Sequence, residues 1–100
     1  MAETDLPQEA SLLGDCKTLC VGGIRFPAGS RRAYQSFGGA AALLFQRGDG
    51  TIRISGSARK VCAGMVELVC LGETCEVVAT SEIYAYIVIA KENKHAHERA

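Results

Sequence analysis

Basic side chains in the middle of the chain form the strongest chemical signal in this sequence. The 100 residues carry eleven basic and eleven acidic side chains, so the formal charge is zero. The charges are nevertheless segregated. Residues 17–60 hold eight bases and one acid, whereas residues 1–16 and 61–90 each hold four acids and no base. A neutral total therefore excludes a uniformly charged surface but leaves room for a basic patch.

Arginine predominates in this basic segment, and its planar guanidinium suits phosphate or carboxylate groups. Two aromatic side chains in the same region could stack on nucleic-acid bases. The sequence thus predicts an anion-binding or nucleic-acid-binding site made of Arg25, Arg31, Arg32, Arg53, Arg59, Lys60, Tyr34 and Phe37. The alternative is that the basic segment pairs with the acidic C-terminal strands, within one molecule or between subunits.

The five cysteines are an odd number, which favours free thiols over a closed set of disulfides. Their apolar neighbours, such as Val61 and Val69, favour buried cysteines that act as small hydrophobic residues. A structural metal site is the weaker alternative, because zinc ligands tolerate spacings of this kind. Its ligands would be Cys16, Cys20, Cys70 and Cys75. We predict no bound metal and no cofactor.

Catalytic signatures are missing from the sequence. No histidine precedes His95, so a histidine-centred triad cannot form in the predicted core. Phosphate-binding loops, nucleophile elbows and zinc-protease motifs are missing too. A carboxylate pair, Glu67 with Glu76 on adjacent strands, is an arrangement that the sequence does not fix. We therefore predict that the protein is not an enzyme.

Short β-compatible segments separated by glycine-rich turns indicate an all-β fold. Residues 41–46 and 51–55 flank an Asp/Gly cluster and predict a hairpin, and residues 71–75 predict a second hairpin turn. The whole chain predicts a mainly antiparallel small sandwich or barrel of five to six short strands. One short helix, near residues 8–13 or 30–37, is compatible with the pattern.

The most apolar segment, IYAYIVIA at residues 83–90, is rich in β-branched and aromatic residues. Because polar alternation is almost missing, we expect a strand that is covered on both faces, by the fold or by another subunit. The predicted oligomer interface consists of Ile83, Tyr84, Tyr86, Ile87, Val88 and Ile89.

Three segments follow from this interpretation. Residues 1–15 form an acidic arm or short helix, residues 16–90 a single β-rich domain, and residues 91–100 a polar flexible tail. No basic and apolar leader of the secretory type is seen, so we expect a cytoplasmic or virion-associated protein. No stretch of about 18 apolar residues is present either, so we expect no membrane partner.

Taken together, the sequence predicts a non-enzymatic structural or interaction module that self-assembles or docks on a larger protein assembly. A viral-particle accessory protein, an adaptor or an inhibitor would fit this description. The alternative function is a small β-barrel that binds nucleic acid through residues 25–60. The expected partner is a second copy of the chain or a larger assembly, with nucleic acid as the alternative.

Overall fold

A computed structural model describes residues 6–91, and every regular element in them is a β-strand. The nine strands are β1 (Ser11–Asp15), β2 (Leu19–Phe26), β3 (Arg31–Tyr34), β4 (Ala41–Arg47), β5 (Asp49–Ile54), β6 (Ser57–Cys62), β7 (Val66–Val69), β8 (Cys75–Ala79) and β9 (Ile83–Ala90). They form two antiparallel sheets with the orders β1-β2-β9-β4-β7 and β3-β8-β5-β6. The predicted all-β antiparallel sandwich is confirmed.

Alternation along the strands creates the core between the two sheets. In β9, Ile83, Ala85, Ile87 and Ile89 are fully buried, whereas the intervening side chains face outward. The same period of two places Leu43 and Phe45 of β4 and Val77 of β8 inside. One cluster of buried side chains thus joins the two sheets.

The hairpin pairings differ from the sequence-based prediction. β4 and β5 lie in different sheets, because the chain turns a corner at Gly48, and the true hairpin joins β5 to β6. Its two-residue turn is Ser55-Gly56, and both residues have positive φ, as a type I′ turn requires. β7 and β8 also lie in different sheets, so residues 71–75 connect the layers instead of forming a hairpin.

Neither predicted helix forms, and the structure has more strands than the five to six expected. Residues 8–13 enter β1, and residues 31–34 form β3. Both segments lie at sheet edges, where β1 pairs with β2 and β3 pairs with β8. Ladder hydrogen bonds to a neighbouring strand therefore outweigh the weak local preference for a short helix.

A carboxylate–arginine pair spans each open edge of the sandwich. At the edge formed by β1 and β3, Arg32 lies 2.9 Å from Glu9. At the other edge, Arg59 of β6 lies 3.5 Å from Glu67 of β7. Each pair thus links an edge strand of the four-stranded sheet to the five-stranded sheet or to the segment that enters it.

The predicted division into arm, domain and tail stays a prediction, and most of the predicted tail lies outside the described residues. Within residues 6–91 we find no helix with the length and hydropathy needed to cross a membrane.

The corner at Gly48 is the backbone position where we expect substitution to be most damaging. Its φ is +87°, and a Cβ there would overlap the carbonyl oxygen of Glu82. We expect Gly48→Ala to lower the free energy of unfolding by more than about 2 kcal/mol. Urea denaturation measures this change.

Gly64→Ala is the matched control, because Gly64 has a φ of +92° with open space around its Cα. It should cost only about 1 to 2 kcal/mol, the ordinary penalty of a left-handed residue. Equal losses in the two variants would show that the close approach to Glu82 is unimportant.

Candidate functional site

A groove of about 330 Å³ with a largely apolar lining and a few polar groups lies at the outer face of the four-stranded sheet. We call it the β3–β8 groove, and it is lined by Ala33, Tyr34, Gln35, Arg53, Thr74, Cys75 and Glu76. Ala33, Glu76 and Arg53 are direct cross-strand neighbours on β3, β8 and β5. Because alanine is the smallest side chain in this row, the surface is hollow between the longer side chains around it.

Two arginines flank the carboxylate in this groove. Arg31 Nη1 lies 3.3 Å from Glu76 Oε2, and Arg53 Nε lies 3.9 Å from Glu76 Oε1. Both arginine side chains are well exposed, whereas Glu76 is 26% exposed. The carboxylate is thus held in place, and the guanidinium groups remain accessible from solvent.

Tyr34 is anchored behind the groove by a hydrogen-bond network. Its hydroxyl donates to Glu9 at 2.6 Å, and Arg32 donates to the same carboxylate oxygen. Burial, and then this bond to Glu9, raises the pKa of Tyr34, so the hydroxyl stays protonated. Burial alone would raise the pKa of Glu9, but the bonds from Tyr34 and Arg32 outweigh it and the pKa is lowered.

Cys75 forms the buried wall of the groove. It is 2% exposed, and burial together with the charge of Glu67 raises its pKa to about 11. Its thiol is therefore neutral at physiological pH and a poor nucleophile. Glu67 is the buried charged residue of the core, and Arg59 supplies its counter-charge.

The structure spreads the predicted anion-binding residues over several surfaces. Arg31, Arg53 and Lys60 share the outer face of the four-stranded sheet, whereas Arg25 lies on the other sheet, 3.4 Å from Glu82. Five of the six predicted cations are paired with carboxylates: Arg25, Arg31, Arg32, Arg53 and Arg59. Four of these arginines pair with a glutamate of residues 61–90, whereas Arg32 pairs with Glu9.

The predicted aromatic platform is not an open surface. Phe37 is buried in the core, and its ring lies 5.2 Å from that of Tyr34. Anion or nucleic-acid binding by the whole predicted set stays a prediction.

The cysteines are distributed differently from the expectation. Cys62 and Cys70 are exposed, because Val61 and Val69 occupy the inward positions beside them, and Cys20 and Cys75 are the buried pair. All five cysteines lie in residues 6–91, and no disulfide joins them. In this part of the chain no three His, Cys, Asp or Glu side chains come together as metal ligands.

The predicted interface strand β9 divides into two faces. Ile83, Ile87 and Ile89 point into the core, whereas Tyr84, Tyr86 and Val88 point outward from the five-stranded sheet. Only the second group is available to a partner, and its interface role stays a prediction.

Sequence reasoning missed the importance of Glu9, Glu67 and Glu76. Glu67 and Glu76 were considered as a pair on adjacent strands, but they lie in different sheets. The alternation of the strand could have shown the burial of Glu67. Glu67 lies two residues before the inward-facing Val69, so both side chains point to the same side of β7.

Solved structures of low sequence identity share this architecture. The Schizosaccharomyces pombe Cnp3 cupin domain has a TM-score of 0.78 and 14% identity, over 90% of this chain and 69% of that chain. KdgF from Halomonas sp. has a TM-score of 0.76 and 11% identity, over 87% of this chain and 81% of that chain. An RmlC-like cupin from Shewanella frigidimarina has a TM-score of 0.76 and 14% identity, over 93% of this chain and 86% of that chain. No family model and no curated protein sequence matches the chain, so the likeness rests on structure alone.

The chain has a cupin fold. This finding corrects the predicted function: we expected a non-enzymatic module for self-assembly or docking, of the viral-particle type. The cupin fold that the chain shares with these structures is instead typical of enzymes and small-molecule-binding proteins. The prediction that the protein is not an enzyme, and the link to viral structural proteins, were therefore wrong. The all-β pattern could not indicate this function, because it is common to many sandwiches.

The buried thiol of Cys75 should make the stability depend on alkaline pH. The unfolded thiol loses its proton near pH 9.0, whereas the folded thiol keeps it to about pH 11. Its stabilising contribution is thus complete below pH 9 and is lost as the pH rises through this window. We expect a loss of about 2 kcal/mol in the free energy of unfolding between pH 9 and pH 11.

Denaturation of Cys75→Ala should show a shallower decline over the same pH range. Cys62→Ala, which removes an exposed thiol, should follow the unmodified protein. Identical pH dependence in Cys75→Ala and the unmodified protein would contradict the assignment.

Proposed function

We propose that this cupin-fold domain binds a small organic acid that carries a hydroxyl group, and that the β3–β8 groove is the binding site. The observation that carries the proposal is the meeting of Arg53 and Glu76 in one hollow of about 330 Å³. Ligand sites of small molecules begin at roughly this volume and combine apolar walls with a few convergent polar groups.

Arg53 is suited to hold the carboxylate of such a ligand. Its ion pair with Glu76 uses Nε, at 3.9 Å, and the guanidinium is more than half exposed. The two terminal nitrogens can therefore donate a parallel pair of hydrogen bonds to a planar carboxylate.

Glu76 is suited to accept a hydrogen bond from the ligand hydroxyl. Arg31 contacts its Oε2 at 3.3 Å, so the carboxylate is oriented before the ligand arrives. A fixed acceptor beside a fixed donor favours a ligand that carries both groups a few atoms apart.

The groove also contains surfaces that would pack against the carbon skeleton of the ligand. Ala33 supplies an apolar floor, and Cys75, which is buried in the core, is neutral because its pKa is raised. Because Cys75 is neutral, the charges of Arg31, Arg53 and Glu76 determine which ligand charge the site accepts. A neutral thiol also favours non-covalent binding over attack by a thiolate.

Titration with lactate, malate and tartrate, followed by amide chemical shifts, tests the proposal. We expect the largest shifts at Ala33, Gln35 and Thr74 for at least one of these acids. Arg53→Gln should weaken that binding by about tenfold or more, because a charge-assisted pair of hydrogen bonds is lost.

Lys60→Gln is the matched control, since Lys60 is an exposed cation on the same face outside the groove. It should change the affinity by less than about twofold. Binding that is equally sensitive to both substitutions would indicate general charge attraction, and shifts centred elsewhere, or none with any of the acids, would refute the site.

A further inference from the structure

Residues 6–10, which lead into β1, contact both sheets at the edge formed by β1 and β3. We call this segment the strap. Its residues belong to no strand among residues 6–91, and a turn hydrogen bond from the Ala10 amide to the Pro7 carbonyl closes its backbone. Because no ladder holds the strap, its attachment to the sandwich depends mainly on its side chains, and such segments open at low cost in free energy.

Leu6 attaches one end of the strap to the interior. Its half-buried side chain packs against the core cluster. A Cβ at Gly22 would lie only 2.8 Å and 2.9 Å from the two methyl carbons of Leu6. Gly22 lies on β2 between the inward-facing Cys20 and Ile24, so Leu6 occupies the inner space that a side chain at Gly22 would fill.

Glu9 attaches the other end of the strap to β3. Its Oε2 atom accepts hydrogen bonds from the Tyr34 hydroxyl at 2.6 Å and from Arg32 Nη1 at 2.9 Å. Both donors belong to β3, which pairs with β8, and the Tyr34 ring lies 5.2 Å from that of Phe37. The sheet therefore positions the two donors, whereas the carboxylate that they bind comes from a segment outside the sheet.

The pair formed by Arg32 and Tyr34 has the properties of a carboxylate-binding site. A guanidinium and a hydroxyl converge on one oxygen, and the raised pKa of Tyr34, which follows from its burial and from its bond to Glu9, keeps the hydroxyl a donor. The side chain of Arg32 is 33% exposed. That of Arg25, which pairs with Glu82 on the other sheet, is 63% exposed. Charges are screened less where water is partly excluded, so the site at Arg32 favours an anion more strongly.

We propose that Arg32 and Tyr34 form a carboxylate-binding site, that Glu9 occupies it as an internal ligand, and that the strap is an autoinhibitory segment. A ligand with a carboxylate on a short aliphatic chain would replace both attachments of the strap, because it would take the positions of Glu9 and Leu6. The proposal is independent of the function proposed above. Tyr34 borders the β3–β8 groove, but the charged groups of the groove are Arg53 and Glu76.

Mass action determines how such a ligand would compete with the strap. A tethered carboxylate is present at a high effective concentration next to its site. A free carboxylate therefore binds with an apparent affinity that is reduced by the fraction of molecules whose strap is released. Removal of the Glu9 carboxylate should consequently increase the affinity for a free one.

Titration of Glu9→Ala with acetate, followed by amide chemical shifts at constant ionic strength, tests the site. The substitution removes roughly the atoms that acetate supplies. We expect saturable shifts at Arg32 and Tyr34 with a Kd of the order of 10 mM. In the unmodified protein the same amides should respond only at about tenfold higher acetate, together with the amides of Gln8 and Glu9.

Hexanoate tests the class of ligand in the unmodified protein. Its aliphatic chain can also take the place of Leu6, so it should displace the strap at a concentration at least about tenfold lower than acetate does. Equal effects of the two acids would overturn the assignment of the Leu6 position to the ligand.

Glu82→Ala is the matched control, because it removes the carboxylate of the exposed pair with Arg25. Acetate should give no saturable shifts at Arg25 in this variant. Adding Arg32→Gln to Glu9→Ala should abolish acetate binding at the edge. Adding Arg53→Gln should change it by less than about twofold, which separates this site from the β3–β8 groove.

Two results would overturn the proposal. One is the absence of saturable acetate shifts at Arg32 in Glu9→Ala, and the other is an equal acetate affinity in Glu9→Ala and the unmodified protein. If circular dichroism shows that Glu9→Ala fails to fold, Glu9→Gln takes its place. It keeps the length of the side chain and removes the charge, so the affinity for hexanoate should still rise.

Discussion

The pairing of β9 with β2 on one side and β4 on the other is the interaction on which the structure depends. β9 is the middle strand of the five-stranded sheet and pairs along its whole length with β2. Its inward isoleucines are fully buried against the opposite sheet, so one strand supplies both the ladder and a large part of the core. A fold organised in this way buries one face of the chain's most hydrophobic segment in the core and leaves the other face on the outside of the sheet.

The outer faces of the two sheets differ in composition. One outer face is mostly apolar, with Arg25 and Arg47 beside Tyr84 at one end, and the other carries the groove with Arg53 and Glu76. Because side chains alternate along each strand, outward residues can be substituted without altering the core. A shift of one residue in register would instead exchange the inward and outward side chains. The alternation explains how two sheets can share one core and still have outer faces of different composition.

The sequence predicted the all-β class because short β-branched segments and glycine turns are local signals. It could not predict which strands pair. The run ALLFQ-RGDG-TIRIS has the appearance of a hairpin, yet the chain passes into the second sheet at Gly48, which has a positive φ and lies against the backbone of Glu82. In IYAYIVIA both faces are apolar, so the pattern indicated a covered strand but hid which residues face inward. For the groove, Tyr34 and Arg53 were named, but Glu76 was not placed beside them, because that contact joins residues distant in sequence.

The strand arrangement explains what the segregated charges of the sequence do. Acidic residues before β1 and in the later strands neutralise arginines at the two edges of the sandwich, as Glu9 does with Arg32 and Glu67 does with Arg59. On the outer face of the four-stranded sheet the balance is incomplete, since the outward side chains of its strands include three cations, Arg31, Arg53 and Lys60, and two carboxylates, Asp49 and Glu76. Exposed charges in water are screened beyond about 10 Å, so this local excess, and not the zero net charge of the chain, sets the potential that a ligand meets at the groove. The anionic ligand that we propose would therefore meet a local excess of positive charge on the outer face of the four-stranded sheet.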